Sequence, residues 1–156
     1  MEFRSNEEKL KVLLRLSLVA LYILLAYNLL MLGVGYYLIN SGSISPIAPS
    51  KMVRNVIFVV AITEMVVLQF LKRAMLAKVD KRRHSDPAAA SETLLRELQS
   101  ITIVIAAMSS TISTYGLVLV ILGEKFEMLL FFGALSLVAY QLFRLRPRDF
   151  SVTPES

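Results

Sequence analysis

The chain contains no cysteine and a single histidine, and these two shortages remove several kinds of chemistry. Without cysteine there is no disulfide, no thiolate metal site and no cysteine nucleophile. His84 lies in a basic segment between two apolar runs, so a histidine metal cluster or a serine–histidine triad has no support. A glycine-rich phosphate-binding loop is also missing. The sequence therefore predicts a protein that is not an enzyme and that uses neither a metal nor a cofactor.

Charge is almost missing from four long apolar runs, in which Glu64 is the one charged residue; the runs cover residues 16–39, 55–71, 98–122 and 128–143. About 20 apolar residues, rising about 1.5 Å each, cross the hydrocarbon core of a bilayer as a helix. The composition agrees, with 56% hydrophobic residues and a mean hydropathy of +0.63. We therefore predict one all-α domain, residues 1–156, with four transmembrane helices at about 16–39, 53–72, 98–122 and 126–143.

Basic residues are distributed unequally about these spans. Of the 17 Lys and Arg, all but Lys51, Arg54 and Lys125 lie before the first span, between the second and third, or after the fourth. Cytoplasmic segments of membrane proteins are enriched in Lys and Arg. We expect two antiparallel hairpins in a prokaryotic inner (plasma) membrane, with both termini, the helical loop 73–97 and the polar tail 147–156 in the cytoplasm.

The connections between the spans carry turn and cap signals. Segment 40–50 is rich in glycine, proline and serine and predicts an external loop, while 123–125 predicts a much tighter external turn. The second span is expected to continue into the cytoplasm as a helix and to break over the polar run 81–85. Asp86 and Pro87 then form a good helix start, with Asp as the N-cap and Pro at the first helical position.

Polar side chains lie at similar depth in three of the spans; these candidates for an ion-binding or buried polar site are Glu64, Asn28, Ser109, Ser110 and Ser113. A carboxylate at the bilayer centre costs about 2.5–3.5 kcal/mol on insertion scales, so Glu64 should face protein and be hydrogen-bonded or protonated. Asn28 and the serines are chemically suitable partners. Two interpretations of Glu64 remain open: a proton or cation site, or a protonated packing element that fixes helix register.

The third span also carries small side chains at spacings of three and four, among which Ala106, Ser113 and Gly116 are predicted helix-packing residues. Small residues let helix backbones approach closely, which drives helix association in lipid. The partner helix could belong to the same chain or to another subunit. Outside the spans, the basic run Lys81, Arg82 and Arg83 is predicted to contact lipid headgroups rather than nucleic acid.

The segment 114–120, Thr-Tyr-Gly-Leu-Val-Leu-Val, resembles the ion-carrying helix of the proteolipid, or c-type, subunit of rotary ATPases. The resemblance implies an oligomeric membrane ring that carries protons or sodium ions. Ser110 stands where that family places its ion-binding carboxylate, so no ion-binding role is transferred. The longer segment 116–147 is similar to small four-span bacterial membrane proteins, a likeness that supplies no activity.

Two classes of function follow. In the first, the protein is a non-catalytic integral membrane subunit that lies in the lipid bilayer and self-associates or joins a larger membrane complex. In the second, it is a proteolipid-like protein that translocates protons or cations with Glu64. Many transporters have broken helices, but these spans contain no proline that would break one. The chain is also short for a monomeric carrier. Both facts favour the subunit, with no nucleic acid among its partners.

Overall fold

A computed structural model of the chain describes residues 6–42, 51–85 and 90–145, which form helices joined by turns. Helix α1 covers Asn6–Asn40, α2 Lys51–Ser85, α3 Ala90–Ile121 and α4 Phe126–Phe143. The segments long and apolar enough to cross a membrane are Leu14–Asn40, Lys51–Val79, Arg96–Ile121 and Phe126–Phe143. A helix satisfies its backbone polar groups with its own hydrogen bonds, which is necessary in lipid because lipid offers no hydrogen-bond partners. The prediction of an all-helical chain with four helices of membrane-spanning length is confirmed.

Helix α2 extends beyond the point at which the sequence predicted its end. The expected break over 81–85 is wrong, because the helix continues to Ser85. Lysine and arginine are good helix formers, and a solvated run of charge does not by itself end a helix. The predicted cap at residues 86–87, most of the external loop and the polar tail lie outside the described residues.

The connection between α3 and α4 is the tight turn that the sequence predicted at 123–125. Gly123 has a φ of 98°, a left-handed conformation that glycine adopts without steric cost. Its amide donates to the carbonyl of Val120 at 2.9 Å, and the amide of Glu124 donates to the carbonyl of Leu119 at 2.9 Å. This pair of bonds is a Schellman motif, which ends α3 and turns the chain back.

Helices α3 and α4 form the central pair of the bundle, with α1 against one side and α2 against the other, while α1 and α2 scarcely touch. Contacts at both ends of the bundle show which helix ends lie together. The Tyr140 hydroxyl of α4 donates to the Ser17 carbonyl of α1 at 2.7 Å, and the Arg54 guanidinium of α2 lies 3.5 Å from the carboxyl of Glu124. The start of α1 therefore lies beside the end of α4, and the start of α2 lies beside the turn between α3 and α4.

Unlike a soluble bundle, this bundle is apolar on its outside as well as in its core. Large apolar residues cover the outside, among them Ile23, Ile62 and Phe70. Several hydroxyl and amide side chains are buried instead; these are Asn28, Thr102, Ser109, Ser113 and Ser136. Lipid is as apolar as a protein core, so burial in this bundle removes polar groups from lipid rather than apolar groups from water.

Candidate functional site

Glu64 lies halfway along the membrane-spanning part of α2, on the side that faces α3. Its Oε1 shares a hydrogen bond with Oγ1 of Thr111 on α3. Its Oε2 is buried and has no hydrogen-bond partner among the described residues. The side chain as a whole is half-buried. The only membrane-embedded carboxyl in the described chain therefore joins two helices through one of its two oxygens.

The surroundings of this carboxyl contain two further hydroxyl groups and a layer of apolar side chains. Thr111 Oγ1 lies 2.7 Å from the backbone carbonyl of Met108, one turn earlier in α3. The hydroxyl of Tyr115, the next turn along α3, interacts with the same carboxyl. Ala61 and Ile112, which pack between α2 and α3 beside this cluster, are fully buried. We call Glu64, Thr111 and Tyr115 the carboxyl cluster.

Charged groups lie far from the carboxyl cluster. On α2 the nearest cations are Arg54 and Lys72, roughly ten and eight residues away, or about 15 and 12 Å along a helix axis. Arg54 pairs with Glu124 at one end of the bundle, and Lys72 donates to the carbonyl of Arg144 at 3.5 Å at the other end. Among the described residues, no basic side chain has its nitrogen within 4 Å of the Glu64 carboxyl.

Asn28 lies in a second polar cluster, on the opposite side of the central helix pair. Its amide nitrogen donates to the carbonyl of Leu24 at 2.9 Å and to the hydroxyl of Ser136 on α4 at 3.5 Å. Its Oδ1 has no partner among the described residues. A Cβ on Gly133 would lie 3.2 Å from that oxygen, so the small residues Gly133 and Ser136 make the room that the amide occupies.

The three serines that the sequence singled out lie in different surroundings. Ser109 and Ser113 are fully buried, and neither hydroxyl has a partner among the described residues. Ser110 is half-buried and donates to the carbonyl of Ala107 at 2.7 Å, within its own helix. None of the three serines bonds to Glu64 among the described residues; Thr111 takes that role instead.

The small-residue face of α3 packs inside the chain. Gly116 lies directly against Leu129 and Phe132 of α4, and Ser113 is buried one turn away on the same face. Ala106 is half-buried beside the apolar core. At Gly116 this face therefore lies inside the chain, in the contact between α3 and α4 that we call the α3–α4 seam.

The structure therefore separates residues that the sequence grouped by depth. Asn28 was expected to be a suitable partner of Glu64, but α1 and α2 scarcely touch, and the amide bonds to Ser136 instead. Sequence reasoning missed Thr111 and Tyr115 as neighbours of Glu64. Thr111 directly follows Ser109 and Ser110, at the same depth as Glu64. The sequence does not show how α3 is rotated about its axis, and this rotation decides which of these side chains faces α2.

Of the predicted headgroup residues, the side chain of Lys81 is exposed, while the side chains of Arg82 and Arg83 lie outside the described part of the structure.

Comparisons with models of protein families, with curated protein sequences and with solved structures gave no match. The resemblance of segment 114–120 to the c-type proteolipid subunit stays a prediction. In this structure Tyr115 of that segment belongs to the carboxyl cluster, and Gly116 belongs to the α3–α4 seam. Function must therefore be argued from these two clusters and from the surface of the bundle.

Proposed function

We propose that the protein is a non-catalytic integral membrane subunit that associates laterally, with its own copies or with other membrane subunits, through α2. Its two hairpins place both termini in the cytoplasm. The helix directions support this orientation, because they gather Lys72, Arg73 and Arg144 at one end of the bundle and leave Arg54 at the other. An excess of basic residues at one end is typical of the cytoplasmic side.

One observation carries the proposal: α2 is the helix that its own chain covers least. In the most apolar 18-residue stretch of α2, only 11% of the residues are buried, compared with 39% in the corresponding stretch of α3. Its outer face is a continuous apolar surface that includes Val59, Ile62, Val66 and Phe70. A helix that contacts its own chain along one narrow side leaves a broad apolar face that a second bundle can cover.

The α3–α4 seam limits which surface of the bundle can bind another subunit. The small residues that would favour close association are used within the chain, so an intersubunit contact through Ser113 or Gly116 would require the bundle to open. Helices α3 and α4 also present less outer surface than α2, because each packs against more of its neighbours. The association surface proposed here is therefore the outer face of α2, which we define by Val59, Ile62 and Val66.

Disulfide cross-linking in native membranes tests the proposal directly, because the chain has no cysteine of its own. Ile62→Cys should give a cross-linked species, either a dimer or an adduct with a labelled neighbour. Leu29→Cys is the matched control, since it lies on the outer face of α1 and is 60% exposed, against 58% for Ile62. Cross-linking from Leu29 with none from Val59, Ile62 or Val66 would place the contact on α1. A strictly monomeric particle in native lipid, with no cross-link from any position, would refute association.

A second candidate function is translocation of protons or cations through Glu64. The observation in its favour is the buried Oε2, an acceptor with no partner among the described residues. Against it, the described part of the chain places no second carboxyl and no basic side chain near enough to Glu64 to pass an ion onward. Glu64→Gln in reconstituted vesicles separates the two functions. Loss of flux in Glu64→Gln with an intact bundle would support translocation. If vesicles with the wild-type protein show no flux, translocation is refuted and the non-catalytic subunit is the function that remains.

A further inference from the structure

Helices α1, α3 and α4 meet one another at glycines. Gly35 of α1 lies directly against Leu129 of α4, and Leu117 of α3 is the next nearest side chain. Gly116 of α3 lies against Leu129 and Phe132 of α4. Lipid is as apolar as a leucine side chain, so helices associate in a bilayer through close van der Waals packing, which small residues permit. Close packing at glycine therefore stabilises the association of these three helices.

Hydrogen bonds also join these three helices. The hydroxyls of Tyr27 on α1 and Thr114 on α3 lie 2.8 Å apart, and the Tyr140 hydroxyl of α4 donates to the Ser17 carbonyl of α1 at 2.7 Å. Both distances are typical of well-formed O–H···O bonds. Helices α1, α3 and α4 thus share both kinds of contact that stabilise helix association in lipid, and we call them the three-helix core.

Helix α2 lacks the glycine contacts. It contains no glycine, and its buried apolar residues are Ala61, Leu68 and Val79 among the side chains that the structure describes. Moving a valine or leucine side chain from lipid to the protein interior changes its surroundings little, because both are apolar. Apolar packing therefore holds α2 on the bundle less firmly than it holds the other helices together.

Polar contacts attach α2 at three depths; they are Arg54 with Glu124, Glu64 with Thr111, and Lys72 with the carbonyl of Arg144. The first and the last lie at the two ends of the bundle, and each has a separation of 3.5 Å, which is long for a hydrogen bond. The Arg54 side chain is also 34% exposed, so water and salt weaken its attraction to Glu124.

The contact at the middle of α2 lies away from water. Thr111 Oγ1 donates to Glu64 Oε1, beside Ala61 and Ile112, which are fully buried between the two helices. In lipid neither the hydroxyl nor the carboxyl would find a water molecule to replace its partner. Among these three contacts, the one in the carboxyl cluster should therefore contribute most to the attachment of α2.

From these differences we infer that α2 is a movable arm on the three-helix core, and that the polar contacts at its three depths keep it docked. The chain then has two states, with α2 docked on α3 or separated from it within the bilayer. Separation uncovers the side of α3 that carries Thr111 and Ile112. The inference goes beyond the proposed function and is independent of it, because every contact involved lies within one chain.

Distances between pairs of spin labels, measured by double electron–electron resonance in lipid vesicles, test the inference. The chain has no cysteine, so nitroxide labels attach only to introduced ones. Ile62→Cys with Leu29→Cys reports on α2 against α1, and Leu29→Cys with Val138→Cys reports on α4 against α1; all three positions are exposed. An excess of unlabelled chain removes distances between subunits, so self-association does not affect the result. We expect a broader distribution for the α1–α2 pair.

Variants of the polar contacts make the test specific. Thr111→Val should add a second population of α1–α2 distances and leave the α1–α4 distances unchanged. Thr63→Val is the matched control, since Thr63 is exposed on α2 and donates to its own helix at Val59. Arg54→Glu should also add a second population, and combining it with Glu124→Arg should remove that population, because the pair is restored with its charges exchanged.

Two results would overturn the inference. One is an α1–α2 distribution as narrow as the α1–α4 distribution in the wild type and in both variants. The other is an equal broadening of both distributions, which would mean that the whole bundle loosens and that α2 does not move separately. Circular dichroism checks that each variant keeps its helices. Arg54→Glu changes a partly exposed side chain at the end of the bundle, so it keeps the test decisive if Thr111→Val does not fold.

Discussion

Gly116 of α3 and Phe132 of α4 are in direct contact across the central seam: a Cβ on Gly116 would lie 2.8 Å from the Cβ of Phe132. It would also lie 3.0 Å from the backbone Cα of Leu129. Neither atom is the movable end of a side chain, so only glycine permits this approach of the two helices. The contact of α3 with α4 at this point therefore requires a residue without a side chain.

Gly116→Ala is therefore expected to destabilise the bundle by about 1–3 kcal/mol, the usual cost of overpacking a well-packed contact. The measurement is the midpoint of thermal or denaturant unfolding in a mild detergent. Gly33→Ala is the matched control, because a Cβ at that position meets nothing within 4 Å. The control should be neutral or slightly stabilising, since alanine is the better helix former. Equal effects of the two changes would contradict the close contact at Gly116.

The amide of Asn28 and the hydroxyl of Ser136 should be energetically coupled. Hydrogen bonds between membrane helices contribute about 0.6 kcal/mol on average, with about 1.7 as an upper value. A double-mutant cycle with Asn28→Ala and Ser136→Ala should give a coupling in that range. Ser110→Ala, which removes a hydroxyl bonded within its own helix, should show no coupling to Asn28. A zero coupling between Asn28 and Ser136 would mean that their 3.5 Å contact contributes nothing.

Tyr140 attaches α1 to α4 through a hydrogen bond between helices. Its ring is fully buried, and its hydroxyl donates to the Ser17 carbonyl at 2.7 Å. Tyr140→Phe keeps the ring and removes the donor, so we expect a loss of about 0.5–1.5 kcal/mol in the free energy of unfolding. Tyr37→Phe is the control, because Tyr37 is 69% exposed. A Tyr140 variant as stable as the Tyr37 variant would show that the bond is not stabilising.

The orientation in the membrane can be tested by labelling introduced cysteines from outside intact cells. We expect Ser43→Cys to react with a membrane-impermeant thiol reagent and His84→Cys to react only after the cells are lysed. The reason is the excess of basic residues on the side of His84. The reverse pattern would mean that the termini face outward. Unmodified chain serves as the blank, since it has no cysteine.

The sequence predicts depth in the membrane better than it predicts partners. Four apolar lengths were enough to place four helices, and the spacing of Ser113 and Gly116 was enough to define a packing face. Depth follows from counting residues, because each adds about 1.5 Å of rise. The partner of Glu64 also depends on how α2 and α3 are rotated about their axes. That rotation is set by packing, and no residue count contains it, so Thr111 was missed while Asn28 was wrongly considered.

The separation of α1 from α2 affects the order in which the bundle is made. The first half of the chain leaves the ribosome with two helices that scarcely touch each other. Neither helix packs closely against the other, so we expect α1 and α2 to be separate spans in the bilayer until the rest of the chain is inserted. We expect contacts between helices to form once α3 is inserted, because α3 packs against both α1 and α2 as well as against α4. A nascent chain stalled before Ala90 should accordingly be a target for membrane chaperones and proteases.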